Sequence, residues 1–180
     1  EQPSPYEFVE PEGIVDMRAC RFAAVDERRV RVSGTRLVRP THPCLKLEGA
    51  RRVGWRSLTL AGTCDPLVIA NLDGIEAAVR ERVAEMTAGL AGAPDVRLRF
   101  LRYGLDAVQG QRPAAESALP TEVGLVIEAV GPTQELADTV VSLARSTALH
   151  QGFAGRKTTA GNLAFPFSPS DLQGGEVYEF

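Results

Sequence analysis

Three polar side chains late in the sequence could move a proton or bind an anion: His150, Asp171 and Arg145. An imidazole acts as general acid or base near neutral pH when a carboxylate orients its ring, and the sequence offers Asp171 or Glu135 for that role. A second group lies in the run Thr159-Ala-Gly-Asn-Leu-Ala-Phe-Pro-Phe-Ser-Pro-Ser-Asp171. There Asn162, Ser168, Ser170 and Asp171 can bind a carboxylate, a thioester carbonyl or a hydroxyl, with Phe165 and Phe167 as apolar walls. Arg145 and Arg156 flank the histidine and can fork onto a ligand carboxylate or phosphate. The assignment is therefore His150 and Asp171 as catalytic groups, with Asn162, Ser168, Ser170, Arg145, Phe165 and Phe167 as ligand contacts. Blander readings compete with each part. A protonated histidine at a helix C-terminus gains about 0.3–1 kcal/mol from the helix dipole alone. Ser-Pro-Ser-Asp can simply cap a helical turn, and arginines more often end in surface ion pairs.

The other reactive residue types offer less. Lys157 sits among Arg, Lys and Thr, too polar a setting for a Schiff-base amine. Cys64 lies near a helix start, where a thiolate is stabilised, yet neither histidine is close in sequence and a small buried filler is the better reading. Cys20, Cys44 and Cys64 are far apart and odd in number, which offers neither a disulfide framework nor a CxxC metal knuckle. With His42 and His150 the only histidines, no metal is expected within this chain, although a partner segment could add ligands. The glycines Gly152 and Gly155 lack the spacing of a phosphate loop.

Net charge is −3 over 180 residues, with no basic run, so the wide positive field of a nucleic-acid binder is missing. No apolar run approaches the roughly 20 residues that span a bilayer, and no charged start followed by an apolar core marks a signal peptide, so a cytoplasmic protein is the expectation. Arginine outnumbers lysine 18 to 2, a hint of a GC-rich genome, and a start at Glu1 without methionine is the mark of a piece of something longer.

The elements that would position these groups follow from hydrophobic period and from breakers. Residues 1–13 carry Pro3, Pro5, Pro11 and Gly13 among acids and read as an arm or linker. Residues 14–48 form a β-hairpin extension: Ile14–Ala24 and Arg29–Val38 alternate apolar with polar around Val25–Arg28. Residues 49–180 give a strand from Trp55 to Gly62, a helix from Leu67 to Met86, a strand from Val96 to Tyr103, a polar loop from Gly104 to Pro120, a strand from Val123 to Val130, and a helix from about Thr133 to His150. Leu163–Phe167 leaves room for a short last strand. The expected class is α+β, the ferredoxin-like split βαβ pattern, with two helices on one face of an antiparallel sheet and the other face open. Arg97 and Arg99 on that open face point to polar contacts with water, the hairpin or another domain.

Several phrases resemble the acyclic terpene utilisation (AtuA) family, and specifically the later part of its domain. They are Val30-Arg-Val-Ser-Gly34, Lys46-Leu-Glu-Gly-Ala-Arg-Arg-Val-Gly-Trp-Arg56, Ala61-Gly-Thr-Cys-Asp-Pro66, Pro132-Thr-Gln-Glu-Leu-Ala137, Leu143-Ala-Arg-Ser146 and Gly161-Asn-Leu-Ala-Phe-Pro-Phe-Ser-Pro-Ser-Asp171. The resemblance implies a bacterial cytoplasmic protein that binds or acts on branched, terpene-like acyl-CoA thioesters or carboxylates. It also implies a preceding α/β region, so that hydratase-type or lyase-type chemistry would need that region; the cofactor is unknown beyond coenzyme A carried by the substrate. The Tyr103-Gly-Leu-Asp-Ala-Val-Gln-Gly110 loop departs from the family's pattern. The expected partners are that N-terminal region or a second subunit, a small acyl ligand, and further copies in a homo-oligomer, with no nucleic acid and no membrane. The alternative is a non-catalytic assembly or docking module.

Overall fold

The computed structural model of the chain describes residues 4–42, 45, 47–108, 110, 119–157 and 161–180. It is α+β, with three antiparallel sheets and three helices among the described residues. The chain divides into two compact units, Glu1–Gly49 and Ala50–Phe180.

The first unit is built of short strands: β1 (Glu7–Glu10), β2 (Gly13–Asp16), β3 (Arg21–Asp26), β4 (Arg29–Ser33) and β5 (Arg36–Val38). The expected long hairpin is split in two. Its inner halves pair as β3–β4, while β2 and β5 pair in a separate sheet of order β1-β2-β5. The break comes where Cys20 donates its amide to the Met17 carbonyl at 2.9 Å and where Gly34 adopts φ +91°. A side chain at Gly34 would meet the Ala19 carbonyl oxygen at 2.1 Å, so only glycine lets the two turns approach. Residues 7–10, expected as part of an arm, form β1 instead. It lies at a sheet edge, the place where flanking prolines are tolerated.

The second unit runs β6 (Arg51–Thr63), α1 (Pro66–Ala70), α2 (Leu72–Thr87), a 3-10 turn at Ala93–Asp95, β7 (Arg97–Tyr103), β8 (Val123–Gly131), α3 (Gln134–His150) and β9 (Asp171–Glu179). Its strands lie in the order β7-β8-β6-β9, every neighbour antiparallel. The Asp65 carboxylate accepts the Leu67 amide at 2.8 Å ahead of Pro66, and Thr133 accepts the Leu136 amide at 3.3 Å, so both helical segments start on a side-chain cap. The single helix expected from Leu67 to Met86 is interrupted at Asn71, whose side-chain amide donates to the Leu67 carbonyl at 2.8 Å.

Alternation along β8 sends Val123, Leu125, Ile127 and Ala129 toward the helices, where Ile75, Val79 and Val83 of α2 and Val140, Val141 and Ala144 of α3 close the core. Ala137, Ala144 and Ala148 are small enough to bring α3 close to the sheet. Met86, at the end of the expected helix, is 48% exposed. The short last strand expected at 163–167 is a single bridge, Ala164 to Gly62, held by two 2.8 Å hydrogen bonds. The last strand of the sheet is β9. Its Asp-Leu-Gln-Gly-Gly-Glu start has poor strand propensity, and the pairing shifts by one residue opposite Arg56/Ser57, with Gly175 at φ +72°. No helix among the described residues is long and apolar enough to cross a membrane.

Candidate functional site

His150 ends α3 as an exposed residue. It lines an open groove of about 380 Å³ between α2 and α3, together with Ala78, Glu81, Arg82, Glu85, Thr147, Gln151 and Gly152. Arg82 is tied to Glu85 at 3.0 Å, which leaves the groove with one glutamate in excess. The carbonyls of His150 and Gln151 close the helix end, each accepting from Arg156 at 2.5 Å. This arginine therefore satisfies backbone oxygens that the helix leaves open, instead of waiting for a ligand.

Asp171 is not the partner of this histidine: no hydrogen bond or ion pair joins them. Arg145 takes Asp171 at 2.7 Å, linking α3 to β9, and Ser142 shares the same guanidinium at 3.3 Å. Five helical residues separate Arg145 from His150, a rotation of about 140° from facing the same way, so a helix that turns one toward β9 turns the other toward α2. Glu135 is likewise absent from the groove. The carboxylates that do share it with His150 are Glu81 and Glu85, four residues apart on the exposed side of α2. Their i, i+4 spacing was visible in the sequence, but it is the ordinary pattern of a solvated helix face, and only the α2–α3 packing brings them to the histidine.

The ligand contacts expected in the 162–171 segment are spread out. Asn162 lines a separate, enclosed cavity with Glu76, Gln151, Phe153 and apolar side chains of α1, α2, β7 and β8; its free volume, about 10 Å³, suits one water. Phe165 packs against the core, whereas Phe167 is 49% exposed. Ser168 is exposed, and Ser170 contributes its backbone carbonyl to the Thr59 hydroxyl at 2.9 Å. No helix follows Ser168, so Ser-Pro-Ser-Asp is no cap either; Asp171 opens β9. Cys20 is a half-buried free thiol, Cys64 is an exposed free thiol and not the buried filler expected, and Cys44 lies outside the described residues.

Two charge clusters escaped the sequence reading. In one, Arg102 of β7 forks onto Asp106, reaches Asp73 and lies 3.7 Å from Glu76. Its hydrogen bonds to Asp106 hold its proton more tightly than usual despite burial. Burial pushes the Glu76 carboxyl up, more than Arg102 and Arg80 pull it down. In the other, Glu128 of β8 is nearly buried and meets Arg56 at 2.6 Å and Arg99 at 3.4 Å on the sheet face away from the helices. On the helix-covered side, burial opposes charge on Asp138 of α3, but hydrogen bonds from Ser57, Gln173 and Gln134 outweigh it and lower its pKa. Among the described residues no cluster of His, Cys, Asp and Glu is arranged to hold a metal ion.

A family model described as acyclic terpene utilisation family protein AtuA matches residues 1–167, and the chain belongs to that family. No curated protein and no solved structure matches it.

Proposed function

With membership of the AtuA family as premise, we propose that this chain serves acyclic terpene utilisation by holding the polar end of a branched acyl-CoA or carboxylate at the α2–α3 groove. The observation that carries the reading is the company His150 keeps: an exposed imidazole beside the Thr147 side chain and two carboxylates in a groove of about 380 Å³, within the size range of ligand clefts. In this reading His150 moves a proton next to a thioester carbonyl, as hydration or carbon–carbon cleavage requires, and Glu81 or Glu85 orients the ring in place of Asp171. Thr147 offers a hydroxyl to the ligand oxygen. Phe165, packed against the core, and Ser170, whose carbonyl accepts from Thr59, fix the segment that follows α3, and the Arg145–Asp171 pair fixes α3 against β9.

With Glu85 paired to Arg82, Glu81 is the carboxylate that opposes an anionic ligand, so the site is completed by positive charge from another surface. The fold that presents it is, on this proposal, the ferredoxin-like split βαβ, a reading supported by the β7-β8-β6-β9 order with α2 and α3 as the two crossovers. The rival docking role is favoured by the outer sheet face, where half-exposed Leu58, Leu60, Leu101 and Val126 surround Arg56, Glu128 and Arg99.

Calorimetric titration with a branched acyl-CoA tests the proposal. Saturable binding that His150→Ala weakens about tenfold, the scale of one lost polar contact, is expected. Undiminished binding by the variant would move the site elsewhere.

A further inference from the structure

The segment that follows α3 is pinned along its length. Gly161 lies so close to Leu149 that an added Cβ would stand 2.0 Å from the Leu149 Cδ1. Leu163 and Phe165 pack against the core, and Ala164 exchanges two 2.8 Å hydrogen bonds with Gly62. Asn162 is carried between these anchors, half-buried, and its side chain makes no hydrogen bond among the described residues.

The enclosed cavity of about 10 Å³ that Asn162 lines has two further polar side chains in its walls, Glu76 and Gln151, and is otherwise apolar. Glu76 is the unusual one. Its Oε1 is shut off from solvent and takes part in no hydrogen bond, and the Arg102 Nε that pairs with it stands 3.7 Å away, beyond hydrogen-bond reach. Gln151 gives its side-chain amide to the Gly152 carbonyl at 3.2 Å, and its side-chain oxygen accepts nothing among the described residues. A buried carboxyl oxygen without a partner is costly, and native structures satisfy such atoms with water where protein groups do not reach. The space is too small for an acyl chain, and three polar groups in its walls disfavour a methyl group. A water fits, and about three hydrogen bonds are what buried waters make.

We propose that this cavity is a binding site for one water molecule, held by the Glu76 carboxyl, the Gln151 side-chain oxygen and the Asn162 side-chain amide. With Glu76 ionised, the water donates to Glu76 and Gln151 and accepts from Asn162. With Glu76 protonated, it accepts from Glu76 and Asn162 and donates to Gln151, so the site serves both forms of a carboxyl whose pKa burial raises. The water joins three stretches of chain whose side chains share no direct hydrogen bond there: α2 through Glu76, the end of α3 through Gln151, and the 161–165 segment through Asn162. Because Gln151 also lines the α2–α3 groove, the water steadies one wall of that groove. The partner of Asn162 is then this water and not the acyl ligand expected of it.

Magnetisation transfer from water to the side-chain amide protons of Asn162 and Gln151 tests this by NMR. The parent chain should show cross-peaks at both amides with the sign of a long-lived, buried water. Glu76→Gln should keep them, since an amide still bonds to water and a relay through the carboxyl proton is then impossible. Glu76→Met, which removes the polar atoms at similar length, should lose them, while the rest of the spectrum shows that the variant folds. Urea titration gives a second reading. Glu76→Met and Asn162→Ala together should raise the unfolding constant at least about threefold less than the product of their separate effects, because both act on one bridge. A parent chain without the cross-peaks, or with the sign of rapidly exchanging surface water, overturns the proposal. So do cross-peaks that survive in Glu76→Met, or two substitutions whose effects simply multiply.

Discussion

Arg102→Met is the sharpest probe of what holds the second unit together. Arg102 is 13% exposed and binds Asp106 through a fork, with Asp73 and Glu76 beside it. Deleting the cation returns Asp73, 91% exposed, to water without penalty, but strands Asp106 and Glu76, whose side chains are 18% and 16% exposed. Breaking a fully buried pair from one side costs about 3–5 kcal/mol, and the residual exposure here lowers that to about 2–4 kcal/mol. For a unit of this size the melting temperature should fall by roughly 6–16 °C. Glu76 gives the experiment its internal control. Because burial already raises its pKa, the folded form holds its proton more tightly than the unfolded chain does. Stability therefore falls as pH rises through the ordinary glutamate range toward the raised value, and the full cost is present above it. Without Arg102 that decline should deepen and extend to higher pH. Adding Glu76→Gln should flatten it and recover about 1–2 kcal/mol at pH 7, since an uncharged amide costs less to bury than an unpaired carboxylate. Urea titrations of the two single variants and the double variant from pH 4 to 8 supply the numbers. A loss below about 0.5 kcal/mol for Arg102→Met, the level of an ordinary surface change, would refute the reasoning. So would a double variant no more stable than Arg102→Met alone.

Other expectations are simpler. Ile127→Ala, in the centre of β8 and fully buried, should cost about 2–5 kcal/mol in chemical denaturation, whereas Ile127→Val should cost about 0.5–1.5. Asp138 has a lowered pKa, so its contribution is complete above the ordinary aspartate range and is lost as pH falls through the lowered value; Asp138→Asn should flatten the acid limb of the stability curve. Thr133→Ala removes the α3 cap and should cost about 1 kcal/mol, read as a lower urea midpoint at unchanged slope. The Arg145–Asp171 pair is about a quarter exposed on each side, and a double-mutant cycle should return about 1 kcal/mol or less.

The second unit was the more legible half of the sequence because its signals are local. Asp65-Pro66 and Thr133 announce helix starts, and the apolar run of β8 announces a central strand. The strand β9 stayed hidden, since glycines at 174 and 175 erase its alternation and its pairing with β6 spans more than a hundred residues. In the first unit, alternation located the strand residues but not their partners: a turn after Met17 and Gly34 move β2 and β5 to another sheet. The candidate site divides along the same line. His150 is identifiable from residue type and helix end, while its neighbours Glu81 and Glu85 come from a different helix. Arg145 and Asp171 were both singled out, yet helical rotation joins them to each other and leaves the histidine elsewhere.

With only two histidines in the chain, their ring signals in a heteronuclear NMR spectrum report on the groove with little overlap. Titrating a branched acyl-CoA should shift the His150 signal saturably and leave that of His42 in place. A His150 signal that stays fixed while the ligand binds would contradict the assignment of the α2–α3 groove as the ligand site.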